Sequence, residues 1–309
     1  MKIISLIASA TEIIHSLGLT DNLVGISHEC DYPKKIKTLP VCSKPRFDID
    51  GKSIEIDNNI KSLLHEALSI YNIDTNLLLK LKPDIIITQS QCDVCGVTLH
   101  DVENALKNQI GINPKIISLN PSNLEDVWND IKIIATNLEV KQKGAELLQK
   151  IQSDIDIFRV EKHKMKSVSV ACIEWIEPLM YAGNWVPELV HLAGGNDLFG
   201  IEGKHSSWAK YETLFKKNPD KIILMPCGYD IRKTYQEIKP LESKPEWSKL
   251  RAVKTNNVFI TDGNQYFNRP GPRLLDSFKI LIEIINNNDS IFGYRGNGWV
   301  TLGDLSFAD

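Results

Sequence analysis

The sequence predicts an α/β protein of two lobes, each built on a parallel-rich sheet, with a long helical stretch between them. Three observations carry that prediction. The chain uses one plan twice: Leu81-Lys82-Pro83-Asp84-Ile85-Ile86-Ile87 leads into polar Thr88-Gln89-Ser90-Gln91, and Asn218-Pro219-Asp220-Lys221-Ile222-Ile223-Leu224 leads into Met225-Pro226-Cys227-Gly228. Each copy follows a Leu/Lys-rich helical stretch and is followed by another helical stretch and a further strand, at 115–119 and 257–261. Between the copies, residues 123–165 read as helix. Open parallel sheets bind ligands at the carboxyl ends of their strands, so two such edges facing each other predict a binding cleft.

Taken in order, residues 2–7 form an apolar, β-branched-rich strand. Ser9-Ala10-Thr11-Glu12 fits a capping box, in which Ser9 accepts from the amide of Glu12 and Glu12 reaches back to the amide of Ser9. The helix then runs through Ile13, Ile14 and Leu17 to Gly18, a suitable left-handed stop. Residues 23–26 are a second strand, ending in Ser27-His28-Glu29-Cys30-Asp31-Tyr32-Pro33. Residues 38–57 read as irregular, with Pro40, Pro45 and Gly51, and 58–81 as mostly helical. Leu124, Val127, Ile131, Ile134 and Leu138 are spaced for an amphipathic helix. A second helix, over about 140–162, carries Leu147, Leu148, Ile151, Ile155 and Phe158 on one side. Such a connector is stiff and limits hinge bending. The second lobe starts with a strand at 167–173 and ends with a helix at 273–285; Gly194-Gly195 stops the helix 186–193. The expected divisions are an N-terminal lobe 1–122, a helical connector 123–165, a C-terminal lobe 166–286 and a tail 287–309. The tail is rich in Asn, Gly and Asp, so weak order is expected there, with Trp299 and Phe307 as the residues that pack back.

Composition narrows the function classes. The 309 residues suffice for two cores, and 42% hydrophobic with 24% charged residues is ordinary for a globular chain. The net charge of −3 and the scattered lysines exclude a nucleic-acid partner. No apolar run approaches the roughly 20 residues needed to span a bilayer. The first ten residues carry one lysine and too short an apolar core for a signal peptide, so the expected location is cytoplasmic, with a periplasmic or extracellular one as the alternative. Six cysteines in a chain that needs no disulfide staples point the same way.

Every strand ends in a polar or aromatic loop, and these loops carry the candidate ligand residues: Ser9, Thr11, Glu12, His28, Tyr32, Gln91, Trp175, Trp185, Tyr266, Asn268 and Arg269. Aromatic walls with a few polar groups suit a large, flat, amphipathic ligand, although some rings could simply seal loops onto each lobe. Arg269 and Arg273 flank the start of the last helix, with Pro272 at its first position, which favours anionic groups. Cys92-Asp93-Val94-Cys95 has three readings: a redox pair, half of a zinc site completed by Cys30 and His28, or two small structural residues. No matched acid/base pair, nucleophile elbow, dinucleotide fingerprint or P-loop is present, so no catalysis is expected.

Together, Ser9-Ala10-Thr11-Glu12, His28-Glu29-Cys30-Asp31-Tyr32-Pro33, Lys82-Pro83-Asp84, Gln91-Cys92-Asp93-Val94-Cys95 and the run from Gly263 to Arg273 resemble the iron/vitamin B12 periplasmic-binding-domain family. More narrowly, they look like its cobalamin-binding-protein branch, and the resemblance covers about residues 2–286 in the right order. The resemblance implies two Rossmann-like lobes bridged by a long rigid α-helix. It implies capture of a corrinoid or an iron chelate such as a ferric siderophore or haem, with no required cofactor, and delivery to an ABC transporter permease. An acidic residue on each lobe would dock on that partner. Glu212 stands at the matching place, seven residues before Pro219, whereas the first lobe has Asn76 there, with Asp74 nearby. The rival of a different class is a metal-binding or thiol-dependent protein centred on Cys30, Cys92 and Cys95.

Overall fold

In the computed structural model, which describes residues 1–66, 69–92, 94, 96–107, 112–159 and 168–305, the chain divides into two units. Unit 1 holds Met1–Pro121 and Glu125–Lys150; unit 2 holds Ser122–Leu124 and Ile151–Asp309.

Unit 1 contains β1 (Ile3–Ser5), α1 (Ala8–Ser16), β2 (Leu23–Ile26), β3 (Ser43–Pro45), α2 (Ser53–His65), β4 (Tyr71–Ile73), α3 (Thr75–Leu81), β5 (Ile85–Gln89), α4 (Leu99–Leu106) and β6 (Lys115–Leu119). Four strands form a sheet in the order β2-β1-β5-β6, and every pairing in it is parallel. Ile4, Ile86 and Ile87 are fully buried, which is why these strands read as unbroken aliphatic runs. Their carboxyl ends lie along one edge. Two expectations fail here. Helix begins at Ser53, where the Glu55 carboxylate accepts the Lys52 N–H at 2.9 Å, and the stretch before α3 is broken by β4, which pairs antiparallel with β3.

The helical stretch comprises α5 (Leu124–Asn137) and α6 (Lys141–Phe158), separated by Glu139 in the left-handed region at φ 61°. Val127, Ile131 and Ile134 are fully buried, as their spacing requires, and so are most of the surfaces of Leu148, Ile151 and Ile155. The boundary between the units falls inside α6, between Lys150 and Ile151.

Unit 2 contains β7 (Val168–Trp175), β8 (Met180–Tyr181), α7 (Val186–Leu192), β9 (Gly195–Asp197), β10 (Ser207–Trp208), α8 (Tyr211–Lys217) and β11 (Lys221–Leu224). After these come α9 (Ile231–Glu237), α10 (Lys239–Glu242), α11 (Arg251–Lys254), β12 (Val258–Thr261), α12 (Leu274–Asn286), β13 (Trp299–Thr301) and α13 (Leu302–Leu305). The sheet order is β10-β8-β7-β11-β12-β13, with β9 also on β7; the β7–β9, β7–β11 and β11–β12 pairings are parallel, and the β7–β8, β8–β10 and β12–β13 pairings antiparallel. β7 outruns its expected length, so Glu174 and Trp175 are strand residues and not loop.

The repeated Pro-Asp pair does the same work in both units. α3 ends on Lys82 at φ 49° and α8 on Asn218 at φ 47°, each the left-handed residue that stops a helix, and each is followed by proline, which cannot continue it. The aspartate then ties its strand to the start of the neighbouring one. Asp84 Oδ2 accepts the Lys2 N–H at 2.7 Å; Asp220 Oδ2 accepts the Ser169 N–H at 3.0 Å and its hydroxyl at 2.6 Å. Lys2 directly precedes β1, and Ser169 is the second residue of β7, one before that strand's pairing with β11 begins at Val170. Burial raises the Asp220 carboxyl, but hydrogen bonds from Ser169 and Arg251 outweigh it and hold the group at about 2.

The tail departs most from expectation. Glu283 on α12 is fully buried, and its carboxylate accepts the N–H groups of Phe292 at 2.8 Å, Gly293 at 2.7 Å and Tyr294 at 3.2 Å, and the Trp299 indole at 2.7 Å. β13 then adds antiparallel to β12. A buried carboxylate needs donors, and the tail supplies four, so residues 287–305 are part of the fold despite their polar composition. Phe307 lies outside the described residues.

Candidate functional site

At the carboxyl edge of the unit 1 sheet, α1 begins only two residues after β1. That short turn overturns the expected capping box. Ile7 is the N-cap and makes no side-chain cap bond; Ser9 lies within the first turn, buried, with its hydroxyl unpartnered among the described residues. Glu12 is buried on the same helix. Thr11 is buried too, and its Oγ1 donates to Ser5 Oγ at 2.8 Å and lies 3.0 Å from Cys30 Sγ. Ser27 Oγ is 3.3 Å from the same sulfur. Thr11 and Cys30 therefore knit β1, α1 and the loop after β2 together.

Cys30 is buried within this network, and burial raises its thiol. His28, the other expected ligand, has Nδ1 3.1 Å from Ser43 Oγ, and burial lowers it to about 4, leaving a neutral ring against Tyr71. Among the described residues no group of three or more metal-ligating side chains converges; Cys95 lies outside them.

The two loops expected to meet do meet. The His28 ring centroid is 5.2 Å from that of Tyr71, whose hydroxyl donates to Val94 O at 2.9 Å, and Glu29 Oε2 lies beside Gly96. Gln89, the last residue of β5, organises the second loop: its Nε2 donates to Cys92 O at 2.7 Å and Gly96 O at 3.2 Å, and its Oε1 accepts the Cys92 N–H at 2.9 Å. Gln89 is not among the expected site residues, which include Gln91, although a polar residue closing an aliphatic strand is a visible signal. Gln91 and Cys92 are half-buried, and Tyr32 is 37% exposed with its ring edge-on to His15.

At the carboxyl edge of the unit 2 sheet, Trp175 packs on Tyr229 with centroids 5.2 Å apart. Trp175 and Trp208 both pair with Met180 across the β7-β8-β10 hairpin, and Trp208 is 57% exposed. Trp185, expected as a ligand wall, is instead buried at the start of α7, where its indole donates to Phe267 O at 2.6 Å. It is a strut beneath the loop that follows β12.

That loop is held by its own polar groups. Asp262 Oδ1 accepts the Gln265 N–H at 2.8 Å, and Asn268 Nδ2 donates to Met225 O and Gly263 O, both at 2.9 Å. Arg269 is buried, with Nη2 donating to Asn264 Oδ1 at 2.9 Å. Gly263 is required, because a Cβ would stand 2.3 Å from Pro226 O. Asn268 and Arg269 thus shape the loop, while Tyr266 is half-buried with the Arg273 guanidinium 5.5 Å from its ring centroid. Pro272 does not open α12: Arg273 is the N-cap, and Leu274 is the first helical residue.

Glu212 is exposed as the second residue of α8. Asn76 is the second residue of α3, and Asp74 is that helix's N-cap, accepting the Leu77 N–H at 2.9 Å.

Comparison with known proteins bears on this geometry. The sequence model of the family described as "Periplasmic binding protein" matches residues 3–265. An uncharacterized ABC transporter substrate-binding lipoprotein, YvrC of Bacillus subtilis, is 22% identical over 295 residues, covering 92% of this chain and 79% of that one. A vitamin B12-binding protein of Vibrio parahaemolyticus is 22% identical over 293 residues, covering 94% and 90%. The crystal structure of a possible iron-binding (periplasmic solute-binding) protein of Staphylococcus epidermidis superposes with a TM-score of 0.68 at 22% identity, covering 92% and 98%. These findings overturn the cytoplasmic location: the matched family is periplasmic by description, and the Bacillus relative is an ABC transporter substrate-binding lipoprotein. A chain with cores this size folds without disulfides in any compartment, so its free thiols carried no information about location.

Proposed function

The chain belongs to the periplasmic binding protein family, and on that premise we propose that it is a non-catalytic substrate-binding protein that captures a cobalamin-like corrinoid for an ABC importer. One observation carries the reading: Tyr32 in unit 1, and Trp175, Trp208 and Tyr266 in unit 2, stand on the loops and strand ends at the carboxyl edges of the sheets. Rings of that kind offer large contact area at low entropic cost, with polar tips for the amides around a macrocycle. The match to a vitamin B12-binding protein over 94% of the chain supports the same ligand class. His28, neutral because burial lowers it to about 4, would present a ring and not a charge. Glu212, exposed on α8, would be the docking contact for the permease.

A ferric chelate or haem is the second reading, favoured by the Arg273 guanidinium over Tyr266 and by the likeness to the possible iron-binding protein. Titrating purified protein with cyanocobalamin and with haemin, followed by absorbance and calorimetry, separates the two. Saturable stoichiometric binding of cyanocobalamin is expected. Silence at high micromolar cyanocobalamin with saturable haemin binding would transfer the assignment, and silence with both would end it.

A further inference from the structure

The tail reaches the loop that bears Tyr266. Tyr294 packs edge-on against Tyr266 with ring centroids 6.0 Å apart, and its hydroxyl donates to Asp276 Oδ1 at 2.6 Å. Its backbone is fixed as well, since the Tyr294 N–H is one of the four donors on buried Glu283. A second tie lies nearby: the Asp262 N–H, at the start of the loop, donates to Gly298 O at 3.0 Å. Asp276 and Glu283 lie on α12, which itself begins where the loop ends. Tyr266 is thus held from one side by Tyr294 and from another by the Arg273 guanidinium at 5.5 Å. The family match covers residues 3–265, so Tyr266, Asp276, Glu283 and Tyr294 lie outside the matched stretch.

We propose that residues 287–305 are a positioning brace for the ligand loop, in which Tyr294, clamped by Asp276 and by the carboxylate of Glu283, sets the orientation of the Tyr266 ring. The proposal rests on the reading that the loop contacts ligand. Physically, a half-buried ring on a loop has several orientations open to it, and each one removed in the free protein is an ordering cost removed from binding.

The test compares wild type with Tyr294→Phe, which keeps the ring and loses the hydroxyl, and Tyr294→Ala, which loses both. Cyanocobalamin and haemin titrations give affinity, thermal melting confirms that each variant is folded, and hydrogen–deuterium exchange of the unliganded proteins reports on residues 262–273. Tyr294→Ala is expected to weaken binding about 2- to 30-fold, the span usual for residues that act on a site from outside it. It is also expected to speed exchange in 262–273, while Tyr294→Phe, which keeps the ring and the Glu283 tie but loses the Asp276 bond, falls between wild type and Tyr294→Ala in both. Unchanged exchange in Tyr294→Ala overturns the brace whatever the ligand. Faster exchange with unchanged affinity overturns its role in binding and leaves the proposed function standing. Equal losses in the two variants assign the effect to the Asp276 bond and overturn the ring contact. Wild type that binds neither probe refutes the ligand reading, and the exchange result then decides the brace by itself.

Discussion

Asp130 is the perturbation with the clearest arithmetic. It lies on α5 with only 4% of its surface exposed, and its Oδ2 has no hydrogen-bond partner among the described residues. Burial, reinforced by the Asp126 carboxylate one turn earlier, raises it from 3.8 to about 7. Between those two values the native state holds a proton that the unfolded chain has released, so stability falls as pH rises through the window. The gap, at about 1.36 kcal/mol per pH unit, sets a ceiling of roughly 4 kcal/mol above pH 7. Between pH 5 and pH 8 the expected loss is roughly 2–3 kcal/mol. Asp130→Asn keeps the shape and removes the titration. Urea unfolding of both proteins at pH 5 and pH 8 should show the variant gaining at pH 8 and gaining much less at pH 5. Other groups titrate equally in the two proteins and cancel in the difference. A variant no more stable than wild type at pH 8, or a difference that ignores pH, would refute the reasoning.

Three further outcomes follow from the site and its supports. Glu283→Ala removes the shared acceptor of three part-buried amides and the buried Trp299 indole and should cost about 1–3 kcal/mol in urea unfolding, with early proteolysis after residue 286; no measurable loss would show that water replaces the carboxylate freely. Trp175→Ala and Tyr266→Ala should each weaken cyanocobalamin binding by about tenfold or more, as buried aromatic anchors usually do, and titrations that superpose on wild type would remove those rings from the site. Glu212→Ala should leave cyanocobalamin affinity intact and reduce ligand uptake by cells carrying the importer; intact uptake would move docking elsewhere.

Much of the fold was legible because its signals are local. Ile85 to Ile87 and Ile222 to Leu224 are aliphatic runs behind a Pro-Asp pair, and the reason for that pair is steric and polar: proline stops the helix, and aspartate accepts an amide near the start of the neighbouring strand. Gly18, in the left-handed region at φ 73°, closes α1 where the periodicity ends. The helices α5 and α6 were visible in the spacing of Val127, Ile131, Ile134, Leu148, Ile151 and Ile155.

The site was less legible, because which polar group meets which depends on distant parts of the chain. Ser9 reads as a cap until the two-residue turn after β1 pulls it inside the helix. Trp185 reads as a wall until Phe267, 82 residues later, takes its indole N–H. The polar tail reads as loose until Glu283 gathers its amides. The sequence by itself determined the strands, the helices and the edge on which the loops lie, since those follow from backbone sterics and burial over short spans. Only the tertiary structure decided which loop residues are struts, because a buried donor or acceptor is satisfied by whichever partner the fold brings to it.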